Sequence, residues 1–270
     1  MAPHICFLLE RGNPPRRNLV IEETIAHLQQ RGATVTSLYP EETLLRLDTL
    51  RAEADLYLLK SNTDLALSLA TVLEAIGARV LNTCVASGLA KNKVVAAARL
   101  LAAGLPSPRS LATAHPAQLA PQVAAQPTGG LILKPHRGHY GLGIAVAARP
   151  TDLPDAFADH EVVFAQEYLS QARTDLKVFG IGDRVFAVRK TFNAGDSFAR
   201  SGAPTLLPPP VEDIARRTGR AFGLELFGLD LAESPDGRVD IVDVNAFPGY
   251  RGVPDGARHL ADYIHARAAG

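Results

Sequence analysis

A chain of 270 residues, 47% of them apolar, can hold one large domain or two to three small ones with real cores. Lys plus Arg and Asp plus Glu balance at 28 each, which excludes a global field for nucleic acid or an anionic membrane, so any basic site must be local. Cys6 and Cys84 sit in apolar, strand-like stretches without metal or disulfide spacing, and no window has the length of a signal core or a membrane span, which predicts a cytoplasmic protein with reduced thiols.

In chain order, the pattern predicts a strand at 5–9, an amphipathic helix at 19–30, and strands at 34–38 and 55–59. A helix at 64–76 and a strand at 78–81 follow. This alternation implies a small, mostly parallel α/β sheet with helices on its faces. A helix over 91–103 stops at Gly104, with Pro106 and Pro108 beyond it. A second unit reads as strand 110–113, helix 117–125, strand 131–134, a glycine loop, strand 144–148, helix 153–159 and strand 162–166, a small α+β lobe. Strands at 176–181 and 185–189, a loop through three prolines, helix 211–222, strands at 225–231 and 239–244, and a final helix at 255–267 complete the chain.

Three oxygen-bearing side chains gather at the last hairpin. The turn Ser234-Pro235-Asp236-Gly237 brings Asp230 beside the far end of the returning strand. Asp243 and Asn245, two apart, share a face there. Two carboxylates and an amide oxygen suit Mg²⁺, which takes hard oxygen ligands and shares them with substrate phosphates. A solvated polar hairpin end is the bland alternative, weakened by Phe247-Pro248-Gly249, a turn that fixes Asn245.

Gly138, Gly141 and Gly143 lie in one inter-strand loop that can present backbone N–H groups to an anion. The spacing is neither a Walker loop nor a dinucleotide fingerprint. Lys134 ends the apolar strand that enters this loop, well placed for a phosphate. Lys93 and Lys177 are further candidates, each with a solvent-facing alternative; alternation puts Lys177 on the face opposite Leu176 and Val178.

Lys93, Lys134 with its loop, Gln166-Glu167-Tyr168-Leu169, Asp175-Leu176-Lys177, and Asp230 with Asp243-x-Asn245 occur in that order. The order and spacing resemble the ATP-grasp superfamily over nearly all of residues 85–260. The resemblance implies an α/β and α+β architecture: an N-terminal pre-ATP-grasp domain at 1–85, a connecting helix region at 86–109, a lid at 110–170 and a C-terminal lobe at 171–270. It implies that Lys93 and Lys134 hold ATP phosphates under the loop of Gly138, Gly141 and Gly143, and that backbone groups around Glu167, Tyr168 and Leu169 recognise the adenine edge, with Gln166 beside them in the nucleotide site. Asp175 is the weaker expectation, for ribose or nearby cations. It further implies that Asp230, Asp243 and Asn245 bind Mg²⁺, with Asp243 standing where most members carry glutamate.

Two branches compete. RimK-type carboxylate–amine ligases are similar in the lysine before the loop and in a sheet-borne Asp-x-Arg, although Lys177 replaces the arginine here. The ATP-grasp inositol-polyphosphate kinases are similar in the ending Asp243 to Tyr250, in the strand from Lys177, and in Lys60 to Asp64. Their phosphate contacts would fall on Arg11, Arg16, Arg17, Lys60, Lys177 and Lys190, whereas His136 and His139 fall off their histidine pattern. Ligation through an acyl phosphate comes first, phosphorylation of a polyol second, and a non-catalytic nucleotide-binding module third. The acceptor-side candidates are Lys177, Lys190, Arg189 and Asn245, with Arg200, Ser201 and Gly249 beside them and an exposed Arg251 the bland reading. The implied partners are a small acid or peptide with its amine, or a phosphorylated polyol, and a homo-oligomer stays open.

Overall fold

The computed structural model describes residues 2–11, 17–126, 129–137, 143–155, 157, 162–169, 172–190 and 202–270, with the backbone alone at 173–175. The first sheet has four parallel strands in the order β2-β1-β3-β4: β1 (His4–Leu8), β2 (Thr34–Leu38), β3 (Leu56–Leu59) and β4 (Val80–Leu81). Helices α1 (Leu19–Gln30) and α2 (Asp64–Ala75) make the crossovers that parallel pairing requires. β1 and β3 are buried on both faces, which explains their unbroken apolar runs. Ile5, Phe7, Leu56 and Leu58 pack in one core with α1, while Cys6, Leu8, Tyr57 and Leu59 pack in another with α2.

The helix expected at 91–103 is α4 (Lys93–Ala102), and an unexpected helix, α3 (Cys84–Lys91), precedes it. The Thr83 hydroxyl caps α3 by accepting from Ala86 N–H, and the Asn92 side chain caps α4 by accepting from Val94 and Val95 N–H. Cys84 therefore opens a helix rather than lying in a strand, and its thiol donates to Glu74 Oε2 at 2.8 Å. The break at Asn92 sets Lys93 at the first position of α4.

The second sheet, within the range expected for the lid, is antiparallel in the order β5-β8-β6-β7, from β5 (Ser110–Thr113), β6 (Leu131–Pro135), β7 (Ala145–Ala147) and β8 (Val163–Glu167), with the short helix α5 (Ala120–Ala124). Its own small core holds Leu119, Val123, Leu131, Leu133 and Phe157. The helix expected at 153–159 is absent from the described part of that range. A 3₁₀ turn over Pro150–Asp152 stops at Leu153, whose extended backbone is what a following proline, Pro154, imposes.

The third sheet is antiparallel in the order β11-β10-β9-β12-β13, from β9 (Arg173–Ile181), β10 (Arg184–Arg189), β11 (Ala203–Thr205), β12 (Leu226–Glu233) and β13 (Val239–Ala246). β11 was not expected, because Ala203-Pro204-Thr205 has no strand pattern; it is an edge piece, where proline is tolerated. Helix α6 (Pro209–Phe222) starts with two prolines in the turn that needs no N–H and ends at Gly223, left-handed at φ 68. Its buried stripe Val211, Ala215, Thr218 and Phe222 meets Leu176, Val178, Leu229 and Leu231 of the sheet. On the other face Phe179, Ile181, Val188 and Leu226 join α7 (Gly256–Ala269) and the first sheet in one core.

Candidate active site

The central strands β9, β12 and β13 bring Lys177, Asp230 and Asp243 into one row, since Asp230 is the cross-strand partner of both other residues. Directly opposed residues share a face. Lys177 Nζ lies 2.5 Å from Asp230 Oδ1, and Lys93 Nζ, reaching from α4, lies 3.2 Å from Asp243 Oδ1. Asn245, two residues beyond Asp243, donates from Nδ2 to Asp243 Oδ2 at 3.5 Å. The register slips after Asp230, a bulge that interrupts the pairing beside the acidic pair before it resumes at Leu231 and Ile241.

Lys134 comes to the same place from the lid. It is 8% exposed, donating to Gln166 Oε1 at 2.8 Å and to the Val242 carbonyl of β13 at 3.4 Å. Burial pushes its pKa down; the Asp243 carboxylate opposes this, Lys93 adds to it, and Asp230 opposes it. Lid and sheet are also tied at Lys93, whose backbone N–H donates to the His136 carbonyl at 2.9 Å. A small cavity of about 20 Å³ lies between them, lined by Lys93, Ala96, Leu100, Phe164, Gln166 and Asp243 among others. A larger one of about 300 Å³, lined by Glu74, Arg79 and Arg267 beside β4, contains none of the expected site residues.

The turn after Asn245 is held by its own packing. Phe247 and Tyr250 have left-handed φ values of 40° and 50°, a conformation that costs ordinary side chains of order 1–3 kcal/mol each. Both are fully buried, and Tyr250 Oη donates to the Gly180 carbonyl at 2.8 Å. Gly249 lies against Asn18, where a Cβ would come within 3.2 Å of the amide nitrogen.

Some expected residues lie elsewhere or play another part. Arg189 sits on the opposite face of the third sheet, with Ala187, and pairs with Glu233 at 2.6 Å, so it does not line the acidic row. Strand alternation decides this, not charge. Gln166 turns its side-chain amide to Lys134 and Ser110, a position that orients the lysine. The N–H groups of Glu167 and Tyr168 are used by the carbonyls of Arg109 and Gly130, which leaves Leu169 N–H as the donor of that segment without a hydrogen bond among the described residues. Arg11 pairs with Glu42 and lies over the Tyr39 ring, and Arg17 pairs with Glu22, both at the exposed surface. Gly143 is left-handed at φ 71. Gly138, Gly141, Arg16, Arg200 and Ser201, and the side chain of Asp175, lie outside the described residues.

Sequence reasoning missed three supporting residues. Ser110 completes the Lys134–Gln166 chain by accepting from Gln166 Nε2. Asn82, 1% exposed, donates to the Leu226 carbonyl and accepts from Glu225 and Leu226 N–H, pinning the start of β12. Glu10 accepts from Ser61 Oγ and Asn62 N–H at the end of β1. One compositional signal was available: the chain has six lysines among its 28 cationic side chains, and none of the six is exposed. Arginine serves the surface.

Comparison with known proteins agrees with this geometry. A family model described as the inositol 1,3,4-trisphosphate 5/6-kinase ATP-grasp domain matches residues 195–266. A Haemophilus influenzae protein named probable alpha-L-glutamate ligase is 27% identical, over 99% of this chain and 88% of its own length. Among solved structures, a RimK domain ATP-grasp protein from Sphaerobacter thermophilus superposes with a TM-score of 0.73 at 19% identity, covering 97% of this chain and 99% of that one. The chain has the ATP-grasp fold. The D-cycloserine synthetase DcsG superposes with a TM-score of 0.76 at 15% identity, over 98% of this chain and 99% of that one, a likeness of fold alone. The ATP-grasp ligase PsnB, solved with a minimal precursor, is 23% identical with a TM-score of 0.72, over 98% and 99% of the two chains. The Haemophilus influenzae relative is named a ligase, and PsnB is an ATP-grasp ligase. Among the described residues no helix is long and apolar enough to cross a membrane.

Proposed function

We propose that this chain is an ATP- and Mg²⁺-dependent carboxylate–amine ligase that activates a small acid or peptide as its acyl phosphate. The observation that carries the reading is the convergence of Lys93 and Lys134 on Asp243, next to the Lys177–Asp230 pair. Two lysines beside two carboxylates and an amide oxygen are what a polyphosphate and its cation need. The kinship with proteins named alpha-L-glutamate ligase supports an amino acid such as L-glutamate as the amine.

The donor set fits magnesium. Among the described residues no three His, Cys, Asp or Glu side chains come close enough to share a metal. Asp230, Asp243 and Asn245 offer too few oxygens to complete a shell, which suits an ion whose remaining ligands are phosphates and water. When bound, the ion would neutralise charge on the phosphates. Lys93 and Lys134 would hold the phosphate oxygens, and Lys177 would orient the acceptor carboxylate at the γ-phosphorus. A carboxylate oxygen forms the new P–O bond as the bond to the ADP oxygen breaks. The amine nitrogen then attacks the acyl carbon, phosphate leaves with the C–O bond pair, and the amine gives up a proton. Catalysis is positioning and electrostatics, with no protein nucleophile.

The test is to measure ADP and free phosphate together while acids, peptides and amino acids are varied. Equal release of both, dependent on acid and amine, is expected. The kinase match over 195–266 favours one second reading, phosphoryl transfer to a polyol such as an inositol phosphate, which would give ADP without free phosphate. Tight ATP binding with no acceptor-dependent turnover would instead mark a nucleotide-binding module.

A further inference from the structure

Four of the six lysines have a partner in the site or at its edge: Lys91 with Asp64, Lys93 with Asp243, Lys177 with Asp230, and Lys134 with Gln166. Lys60 and Lys190 have no carboxylate within ion-pair distance among the described residues, although both are partly buried. Their positions are specific. Lys60 follows β3 and Glu10 follows β1, at the carboxyl ends of the two strands where the order β2-β1-β3-β4 reverses direction. Open parallel sheets bind ligands in the crevice at that switch point.

The turn after Asn245 closes the crevice. Lys60 Nζ lies 5.8 Å from the centre of the Phe247 ring. Gly252 is seated between Gly202 and β10, where a Cβ would meet the Gly202 carbonyl at 2.5 Å and Val188 at 2.9 Å, and the charge of its neighbour Arg251 acts on Lys190 just past the end of β10. Arg251 donates to the Arg17 carbonyl, not to a carboxylate. Glu10, the acid whose charge acts on Lys60, is turned to Ser61 and Asn62. Burial pushes the Lys60 pKa down; Glu10 opposes that and Arg251 adds to it. For Lys190 burial again leads, followed by the like charge of Lys177.

We propose that this crevice is a second anion subsite, in which Lys60 and Arg251 hold an acidic group of the acceptor remote from the carboxylate that reacts beside Lys177 and Lys190. The enzyme thereby selects acceptors carrying at least two negative charges. The naming of the reacting carboxylate rests on the ligase reading; the subsite itself does not.

Binding separates the two. With the full chain, ADP and Mg²⁺ present, the affinities of α,ω-diacids from succinate to pimelate are measured against those of their monoamides. At the best-fitting chain length the diacid is expected to bind about ten-fold tighter or more. K60M should remove that preference and leave the ADP affinity unchanged. R251Q, at an exposed position tolerant of change, should reduce the preference and serves if K60M fails to fold. Equal binding of diacid and monoamide at every length, no binding of either, or a preference that survives both variants overturns the proposal. A diacid preference without acceptor-dependent phosphate release would sink the ligase reading and keep the subsite.

Discussion

Asp243 carries the most at the scale of single residues, because it meets Lys93, influences Lys134 and accepts from Asn245. Asp243→Asn should cut turnover by about 10²-fold or more, as loss of a preorganised charge does, while the melting temperature stays within a few degrees. Wild-type turnover in that variant would remove Asp243 from the metal site. Lys134 yields a pH prediction. Its pKa is lowered in the free chain, and a bound polyphosphate, being anionic, must raise it. Between those two values binding takes up a proton, so ATP affinity should fall as pH rises, beginning below the range of an ordinary lysine. Calorimetry in buffers of different ionisation enthalpy would show the proton uptake, and Lys134→Arg should abolish it. Gln166→Ala should raise the KM for ATP more than it lowers kcat, since it releases the Lys134 ammonium without removing its charge. A kcat effect alone would argue against an orienting role.

Elements explain why these residues can be functional at all. β9, β12 and β13 present a polar row on a sheet with an apolar core against each face, and a bulge follows Asp230 in that row. The turn from Phe247 to Tyr250 stores left-handed backbone at two non-glycine positions, held in part by the Tyr250 hydroxyl. Tyr250→Phe should cost about 1–3 kcal/mol in denaturant unfolding, because the buried Gly180 carbonyl loses its side-chain donor. It should also raise the acceptor KM by loosening the segment that carries Arg251. Stability and acceptor KM unchanged would mean that the turn is fixed by other contacts.

The whole molecule is joined by its largest shared core, in which Phe7 and Leu58 of the first sheet pack with Phe179 and Leu226 of the third and with Leu260 of α7. The N-terminal sheet and the C-terminal lobe should therefore unfold together. Leu260→Ala should destabilise by about 2–5 kcal/mol and move one common calorimetric transition, with tyrosine fluorescence and far-ultraviolet dichroism in step. Separate transitions for the two parts would show that the shared core is not cooperative. The lid has its own cluster around Leu131 and Leu133 and meets the acidic row chiefly through polar contacts of Lys134 and Lys93.

Local pattern made much of this legible before any coordinates. Apolar runs and their periodicity located most of the strands and helices, and the spacing of Asp230, Asp243 and Asn245 placed them on one hairpin, because a strand's period fixes which side chains share a face. Capping was the weakest signal: Asn92 divides α3 from α4 through two hydrogen bonds that a helix-period pattern does not register. Tertiary structure alone decided that Lys60, from the first sheet, meets Phe247, from the last turn, and that Arg189 turns to Glu233. Which cation serves the site depends on strand pairing and domain packing between residues far apart in the chain, and no local periodicity carries that information.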